Sequence, residues 1–278
     1  MKEKAALHCI YDGSSASEGA VGRLLIYFPT EGGYVIHSVA HTVRPDRNAD
    51  VWRLSEVFFQ DEDGKKAALT SLGAEWDMAI MLVGRPDFIG GYAHGDEISA
   101  PPSLLIDGEK ASIEALTEPT EFSELRLSLS SDGYDPSSPE QRVLSHEKEY
   151  VITKDGISLT QSVLWQGDYP ISRGFLAMLP PKKEFTSYYY TDKNKTPQPI
   201  ECPTSIEGVS SVTLLGEEGF SFTMSVDKEC ALTLADNGTS AYNKAYFSYK
   251  RGGNTQKGEV WRAKTNYQIT RTIKVQNL

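Results

Sequence analysis

The hydrophobic and polar residues of this chain alternate with a period of two over most of its length. The runs RLLIYF (23–28) and YVIHSVAHTV (34–43) show the pattern early, and the PTEGG segment between them ends in a Gly-Gly pair. Side chains of an extended strand point to opposite faces in turn, so alternation indicates strands with one buried and one solvent-facing side. Together with the glycine turn, the two runs predict a β-hairpin.

The clearest hairpin lies in the middle of the chain. Two alternating segments, 142–153 and 157–165, flank the pair Asp155-Gly156, which is a strong signal for a tight turn. Another hairpin turn is predicted between Gly216 and Gly219. Further strands with the same pattern are predicted at 76–83, 122–130, 174–179, 185–190, 208–215, 219–226, 230–235, 242–250 and 258–275.

Helical periodicity is scarce. The segment DVWRLSEVFFQ (50–60), with Asp50 as an N-cap, predicts one short helix, and GKKAALTSLG (64–73) predicts a second. Many short strands joined by turns that contain Gly and Asp are typical of sandwiches and barrels. The pattern therefore predicts an all-β fold, a large antiparallel β-sandwich with one or two short helices.

One segment bears on the number of domains. Residues 130–141 (SSDGYDPSSPEQ) are dense in Ser, Asp, Gly and Pro, as loops and linkers are. Because the strand character is the same on both sides, we interpret this stretch as a surface loop within a single β-sandwich domain of residues 1–278. The alternative is a division into two domains near 130–141.

The composition narrows the classes of partner. With 39% hydrophobic and 24% charged residues, the 278-residue chain can build a core. Its formal net charge of −10 argues against a nucleic-acid partner, because phosphate binding needs clustered Lys and Arg. No apolar run reaches the length of about 18 residues that a membrane span requires, so no membrane partner is expected.

Several familiar motifs are missing. The three cysteines lack CxxC spacing, and the sequence contains no GxSxG, P-loop, HExxH or dinucleotide-binding signature. We therefore expect neither a metal nor a cofactor. The N-terminal stretch MKEKAALHCIYDGSS lacks the apolar run of a signal peptide. This indicates a cytoplasmic protein, or one released without a signal peptide, for example in a phage particle.

The densest group of chemically active side chains lies in GGYAHGDEIS (90–99). If the segment is extended, Tyr92, His94 and Asp96 share one face at spacings of roughly 6.5–7 Å, and Glu97 points to the other. Histidine exchanges a proton readily near neutral pH, and a neighbouring carboxylate can hold one tautomer or act as the partner acid or base. The segment is thus a candidate catalytic cluster. The alternatives are a polar strand–loop junction and a metal site.

Other residues are candidates for binding a substrate. Arg173 and Arg85 could each hold a carboxylate with two parallel hydrogen bonds. Tyr188 and Tyr190 fall on one face of a predicted strand and, with Trp165, could stack on sugar rings if exposed. Burial in the core is the alternative for all three aromatic residues.

The run SHEKEYVITKDGISLTQSVLWQGDYPISRGFLAML (145–179) resembles the central strands of the galactose-mutarotase-like supersandwich. The resemblance covers about half of the chain, residues 76 to 226. It implies a large antiparallel sandwich whose concave face holds carbohydrate, a fold also used as a domain in polysaccharide lyases. The Asn-His pair, second His and C-terminal Glu of aldose epimerases have no match here, so no catalytic residue is carried over from them.

We therefore predict a carbohydrate-handling protein that uses the Tyr/His/acid cluster. If the protein is a polysaccharide lyase, His94 or a tyrosine would remove the proton next to a uronate carboxylate. Arg173 or Arg85 would neutralise that carboxylate. If the protein is a sugar epimerase, a carboxylate would take the proton of the anomeric hydroxyl while His94 protonates the ring oxygen. The alternative is a non-catalytic carbohydrate-binding or structural module, since the sequence also looks similar to uncharacterised prophage-encoded proteins.

Overall fold

A computed structural model of the chain describes residues 6–14, 20–70, 76, 78–217, 219–236, 243–248 and 259–277. These residues form 21 β-strands and one short helix, α1 (Gly91–His94). Single turns of 3₁₀ helix interrupt three connections, at Pro45–Arg47, Ile113–Ala115 and Lys183–Phe185. No helix in this part of the chain is long and apolar enough to cross a membrane.

The strands are numbered along the chain. They are β1 (His8–Asp12), β2 (Ala20–Thr30), β3 (Gly33–Arg44), β4 (Ala49–Asp61), β5 (Lys66–Ala68), β6 (Ala79–Leu82), β7 (Glu97–Ser99), β8 (Ser103–Ile106), β9 (Glu109–Ala111), β10 (Thr120–Glu121), β11 (Glu124–Asp135), β12 (Ser138–Thr153), β13 (Gly156–Trp165), β14 (Tyr169–Leu179), β15 (Tyr188–Thr191), β16 (Gln198–Pro199), β17 (Thr204–Leu215), β18 (Phe220–Asp236), β19 (Asn243–Ser248), β20 (Glu259–Trp261) and β21 (Asn266–Asn277).

One continuous ladder connects the strands. β1, β2, β3 and β4 form an antiparallel meander, and a short parallel pairing joins β4 to β7. β7 leads to β11, and the order continues through β12, β13 and β21 to β18. The first half of β18 pairs with β21 and its second half with β19, which pairs in turn with β14. The long strand β18 therefore links the central strands to the last part of the sheet.

The sheet folds back on itself around a common core. Strands β3 and β21 contact each other although no ladder joins them. The large buried side chains Trp76, Trp165, Phe222 and Phe247 belong to one hydrophobic cluster that draws on strands from both ends of the chain. Burial of this apolar area is the main favourable term for the fold. The predicted all-β sandwich is confirmed.

The hairpins predicted from alternating residues are also confirmed. Thr30 pairs with Gly33 at the end of the β2–β3 hairpin, and Thr153 pairs with Gly156 at the end of the β12–β13 hairpin. The turn predicted between Gly216 and Gly219 joins β17 to β18. In each case turn residues between two extended segments identified the hairpin.

Two predicted helices are strands in the structure, and two strands predicted as separate form one. Residues 50–60 belong to β4, whose side chains Val51 to Val57 are buried on both faces, so its sequence lacks the alternation of a half-exposed strand. Of the weaker helix at 64–73, residues 66–68 form β5 and residues 71–73 lie outside the described part. The strands predicted at 219–226 and 230–235 form the single strand β18.

The segment 130–141 is neither a linker nor a loop. It contains the end of β11, a turn at residues 136–137 and the start of β12. Asp135 pairs with Ser138 across the turn, and Ser131 pairs with His146 further along the same ladder. Along the end of β11, Ser131 and Asp135 are buried and hydrogen-bonded to other side chains, and the exposed polar residues lie at the turn and the start of β12. A single domain over residues 1–278 stays a prediction.

Candidate functional site

The connection between β6 and β7 forms a compact loop. Residues 91–94 are helical, and the Gly90 N–H donates a hydrogen bond to the Gly95 carbonyl oxygen at 2.8 Å, which closes the loop at its base. The extended conformation that would place Tyr92, His94 and Asp96 on one face is therefore not adopted by residues 92–94. The side chain of Tyr92 lies outside the described part of the structure.

Gly95 explains why the loop takes this path. Its φ of 87° and ψ of −149° are accessible to glycine but not to residues with a side chain. A Cβ atom here would also overlap the carbonyl oxygen of Arg47. The next residue, Asp96, donates its N–H to that same carbonyl at 2.9 Å. The loop is thus held against the 3₁₀ turn at Pro45–Arg47.

His94 is oriented by a carboxylate that lies seven positions earlier. Its Nδ1 is 2.7 Å from Oδ1 of Asp87, and the ring of Phe88 packs against the imidazole with centroids 4.7 Å apart. The second oxygen of Asp87 accepts a hydrogen bond from Arg47 at 3.2 Å. A histidine held by a carboxylate through one nitrogen is a common arrangement for proton transfer through the other.

Asp96 supplies a second carboxyl group in the same region. It is half-buried, and its Oδ1 accepts a hydrogen bond from the Asn48 side-chain amide at 3.3 Å. Burial raises the pKa of Asp96, and the nearby carboxylates of Asp87 and Asp135 add to the increase. Asp96 is therefore a stronger base than an ordinary exposed aspartate.

Asp87, His94 and Asp96 line one solvent-open cleft of about 560 Å³, together with Arg47 and Asn48. We call these five residues the acid–base cleft. Two of them, His94 and Asp96, were singled out from the sequence. Asp87 was missed because it lies too far along an extended chain to reach His94. The available signal was the series of glycines from Gly84 to Gly95, which is typical of a loop that folds back on itself.

Glu97 faces away from the cleft and is almost fully buried, with 1% exposure. Its carboxylate lies 3.0 Å from His146 Nδ1 and accepts hydrogen bonds from Ser131 Oγ at 2.5 Å and the Gly91 N–H at 3.0 Å. Burial opposes its ionisation, but the Lys148 ammonium and the hydrogen bonds outweigh this and hold the pKa of Glu97 well below its usual range. Glu97 therefore anchors the loop and does not line the cleft, and a catalytic role for it stays a prediction.

The two candidate arginines do not line the acid–base cleft. Arg85 forms two hydrogen bonds of 2.6 Å to the fully buried carboxylate of Asp135. This ion pair attaches the loop to the β11–β12 hairpin, so Arg85 is not available to hold a substrate carboxylate as predicted. Arg173 is exposed on β14 opposite Met81 of β6. A substrate-binding role for Arg173 stays a prediction.

The aromatic candidates separate by burial. Trp165 is 1% exposed and belongs to the core, which is the alternative to sugar stacking that its sequence left open. Tyr188 is 40% exposed and Tyr190 is half-buried, both on β15, and neither lines the acid–base cleft. Their predicted contact with substrate remains untested. Within the described residues, no group of three or more His, Cys, Asp and Glu side chains is arranged to hold a metal ion.

Neither a protein-family model nor a curated protein matches the chain. Among solved structures, a provisionally named aldose 1-epimerase from Escherichia coli K12 covers 91% of this chain and 100% of its own, with 12% identity and a TM-score of 0.45. The chain is similar to galactose mutarotase-like proteins. One from Clostridium acetobutylicum covers 92% of this chain and 96% of its own, with 9% identity and a TM-score of 0.46.

A third such protein, from Lactobacillus casei ATCC 334, covers 91% of this chain and 100% of its own, with 9% identity and a TM-score of 0.42. These are the kind of protein that the run 145–179 resembles.

Proposed function

We propose that the chain binds an aldose in the acid–base cleft and catalyses exchange between its anomers. One observation carries the proposal. An imidazole oriented by a carboxylate and a second carboxyl group of raised pKa, His94 with Asp87 and Asp96, line the same open cleft. Two proton-transfer groups in one polar site are what this reaction requires.

The reaction divides between the two groups. Asp96 would remove the proton from the anomeric hydroxyl, and its raised pKa favours accepting that proton. His94 would protonate the ring oxygen through Nε2, since Nδ1 is bonded to Asp87. The bond between the anomeric carbon and the ring oxygen then breaks to give the open-chain aldehyde. After rotation of the aldehyde, the same groups act in reverse to close the ring on its other face.

The cleft favours this reaction over uronate elimination. A lyase must neutralise the substrate carboxylate to make the neighbouring proton acidic. Arg85 is bonded to Asp135, and the arginine that does line the cleft, Arg47, already pairs with Asp87. A neutral sugar requires no such cation, because hydroxyl groups can bond to the carboxylates and the Asn48 amide.

The test follows anomer exchange of freshly dissolved α-glucose and α-galactose by polarimetry, with exchange-resolved NMR as a second readout. Wild type should accelerate exchange for at least one sugar. His94→Gln and Asp96→Asn should each lower kcat/KM by about 100-fold or more, because each removes a general acid or base. When a uronate-containing polysaccharide is supplied instead, ultraviolet absorbance should show no unsaturated product.

His41→Gln is the matched control. His41 is also bonded to an aspartate, Asp50, at 2.7 Å, but the pair lies outside the acid–base cleft. This variant should retain wild-type exchange rates. If wild type binds a sugar without accelerating anomer exchange, the non-catalytic carbohydrate-binding alternative is supported. If His94→Gln, Asp96→Asn and His41→Gln all exchange anomers at the same rate, the roles assigned to His94 and Asp96 are contradicted.

A further inference from the structure

A second cavity, of about 220 Å³, lies where the β2–β3 hairpin meets the β12–β13 turn and the end of β21. It shares no lining residue with the acid–base cleft. Phe28, Val35 and Ile273 provide apolar walls. An apolar protein cavity of roughly 150 Å³ can take up benzene, so this one has room for an aromatic ring with substituents.

A buried histidine contributes a polar group to this cavity. His37 is 2% exposed and lines it, with the Phe28 ring packed edge-on at 5.2 Å. Its Nδ1 meets no hydrogen-bond partner among the described residues. Buried polar atoms are nearly always paired in native proteins, so the unpaired Nδ1 of a residue that lines the cavity would gain a partner from a ligand that reaches the imidazole. Burial lowers the pKa of His37 to about 3, so the imidazole offers a hydrogen bond without a charge.

The rim of the cavity is cationic. Lys154 of the β12–β13 turn and Lys274 of β21 are both exposed and both line it. The described lining contains no Asp or Glu to neutralise them. The site therefore combines a positive rim, apolar walls and one uncharged hydrogen-bonding group in its buried part.

We propose that this cavity binds a small hydroxylated aromatic carboxylate. The carboxylate lies between Lys154 and Lys274, the ring packs against Phe28 and Ile273, and the hydroxyl at the far end bonds to His37 Nδ1. Three separate chemical features of the ligand are thus matched by three parts of the cavity.

The test is a chemical-shift NMR titration of the isotope-labelled full chain with 4-hydroxybenzoate, supported by calorimetry. Saturable binding should move the amide signals of Phe28, Val35 and Ile273 and a ring-nitrogen signal of His37. Benzoate, which lacks the hydroxyl, should bind about tenfold more weakly because a buried hydrogen bond is lost. 4-Hydroxybenzamide, which lacks the charge, should bind about two- to fivefold more weakly.

Variants test each contact. The double substitution Lys154→Gln with Lys274→Gln lies on the surface and should weaken 4-hydroxybenzoate but not the amide, whereas Lys110→Gln on β9 should change neither. His37→Leu should remove the preference for 4-hydroxybenzoate over benzoate. Absence of saturable binding, equal affinity for benzoate, or an unaltered affinity in the lysine double variant would each overturn the proposal. Because the lysine variant leaves the core intact, the test survives misfolding of His37→Leu.

Discussion

The buried carboxylate of Glu97 holds the connection between β6 and β7 in place. Replacing it by Gln keeps the shape of the side chain but leaves the buried ammonium of Lys148 without its carboxylate. Leaving a buried charge without a nearby opposite charge is strongly destabilising, so we expect Glu97→Gln to lower the free energy of unfolding by about 3 kcal/mol or more. Urea denaturation of wild type and variant measures the difference.

Glu149→Gln is the control on the neighbouring strand β12. Glu149 is 51% exposed and lies 3.4 Å from Arg126, an arrangement that contributes little to stability. The free energy of unfolding should therefore be essentially unchanged. If Glu97→Gln and Glu149→Gln lowered the free energy of unfolding equally, the buried charge of Glu97 would not be the source of the destabilisation.

The pH dependence of the Glu97 contribution has a definite sign. The fold lowers the pKa of Glu97 below its unfolded value of about 4.3, so the unfolded chain binds the proton more readily. The contribution is fully present above the unfolded pKa and is lost as pH falls through the folded pKa. The gap between wild type and Glu97→Gln should therefore narrow below about pH 4.3, and a gap that widens there would contradict the assignment.

Residue types alone identified part of the cleft. His94 and Asp96 stood out because a histidine and a carboxylate lay close together in a glycine-rich stretch. Asp87 and the buried role of Glu97 could not be predicted, since both depend on how the chain folds between β6 and β7. The same holds for Trp165, whose burial follows from the strands around β13 and not from its own sequence context.

Among the elements, the loop from Gly90 to Gly95 depends most on backbone conformation. We expect Gly95→Ala to cost at least about 2 kcal/mol, because its φ and ψ exclude a side chain and the new Cβ would overlap the Arg47 carbonyl oxygen. Displacement of the loop should also weaken anomer exchange through loss of the His94 position. Thermal or urea unfolding and the exchange assay measure the two effects.

Gly84→Ala in the same connection is the matched control. Gly84 also has a positive φ, of 77°, but a Cβ there would meet no atom within 4 Å. Only the cost of the left-handed backbone should remain, about 1 kcal/mol, and exchange activity should persist. A loss as large as that of Gly95→Ala would show that contact with Arg47 is unimportant.

Strands were predictable where one face is buried and the other exposed. β12 and β13 alternate over most of their length, so both their type and the turn between them followed from sequence. β3 is buried on both faces from Val35 to Ala40, and the Gly32-Gly33 turn signal identified its hairpin with β2. β4 was mistaken for a helix because burial of both faces removes the period of two. α1 was missed because three glycines, whose backbone can turn in either hand, interrupt what looked like an extended polar run.

For the whole molecule, the ladder through β11 and β12 crosses the only predicted domain boundary. We expect the chain to unfold in one cooperative transition, because these strands join the first meander to the later sheet. Trp52 and Trp165, buried on either side of the boundary, report by fluorescence, and far-ultraviolet circular dichroism reports on the strands. Coincident midpoints are the expected result, and two separated transitions would support division near 130–141.

The class of fold was predictable, but the strand order was not. Alternation indicates that a segment is a strand, and it carries no information about which distant strand is its partner. The pairing of β13 with β21 joins residues 157–164 to residues 266–273, and the parallel contact of β4 with β7 joins residues 49–50 to residues 97–98. Such pairings depend on the packing of the complete core.

The ends of the sheet have a consequence for self-association. An open sheet with long unpaired margins invites addition of strands from other copies, which is how fibrils grow. Here β5, β6, β9, β10, β16 and β20 each pair with a single neighbour among the described strands, and none of them is longer than four residues. Strands this short offer few unpaired backbone groups to an incoming chain, so these margins are poor templates for the addition of a strand from another copy.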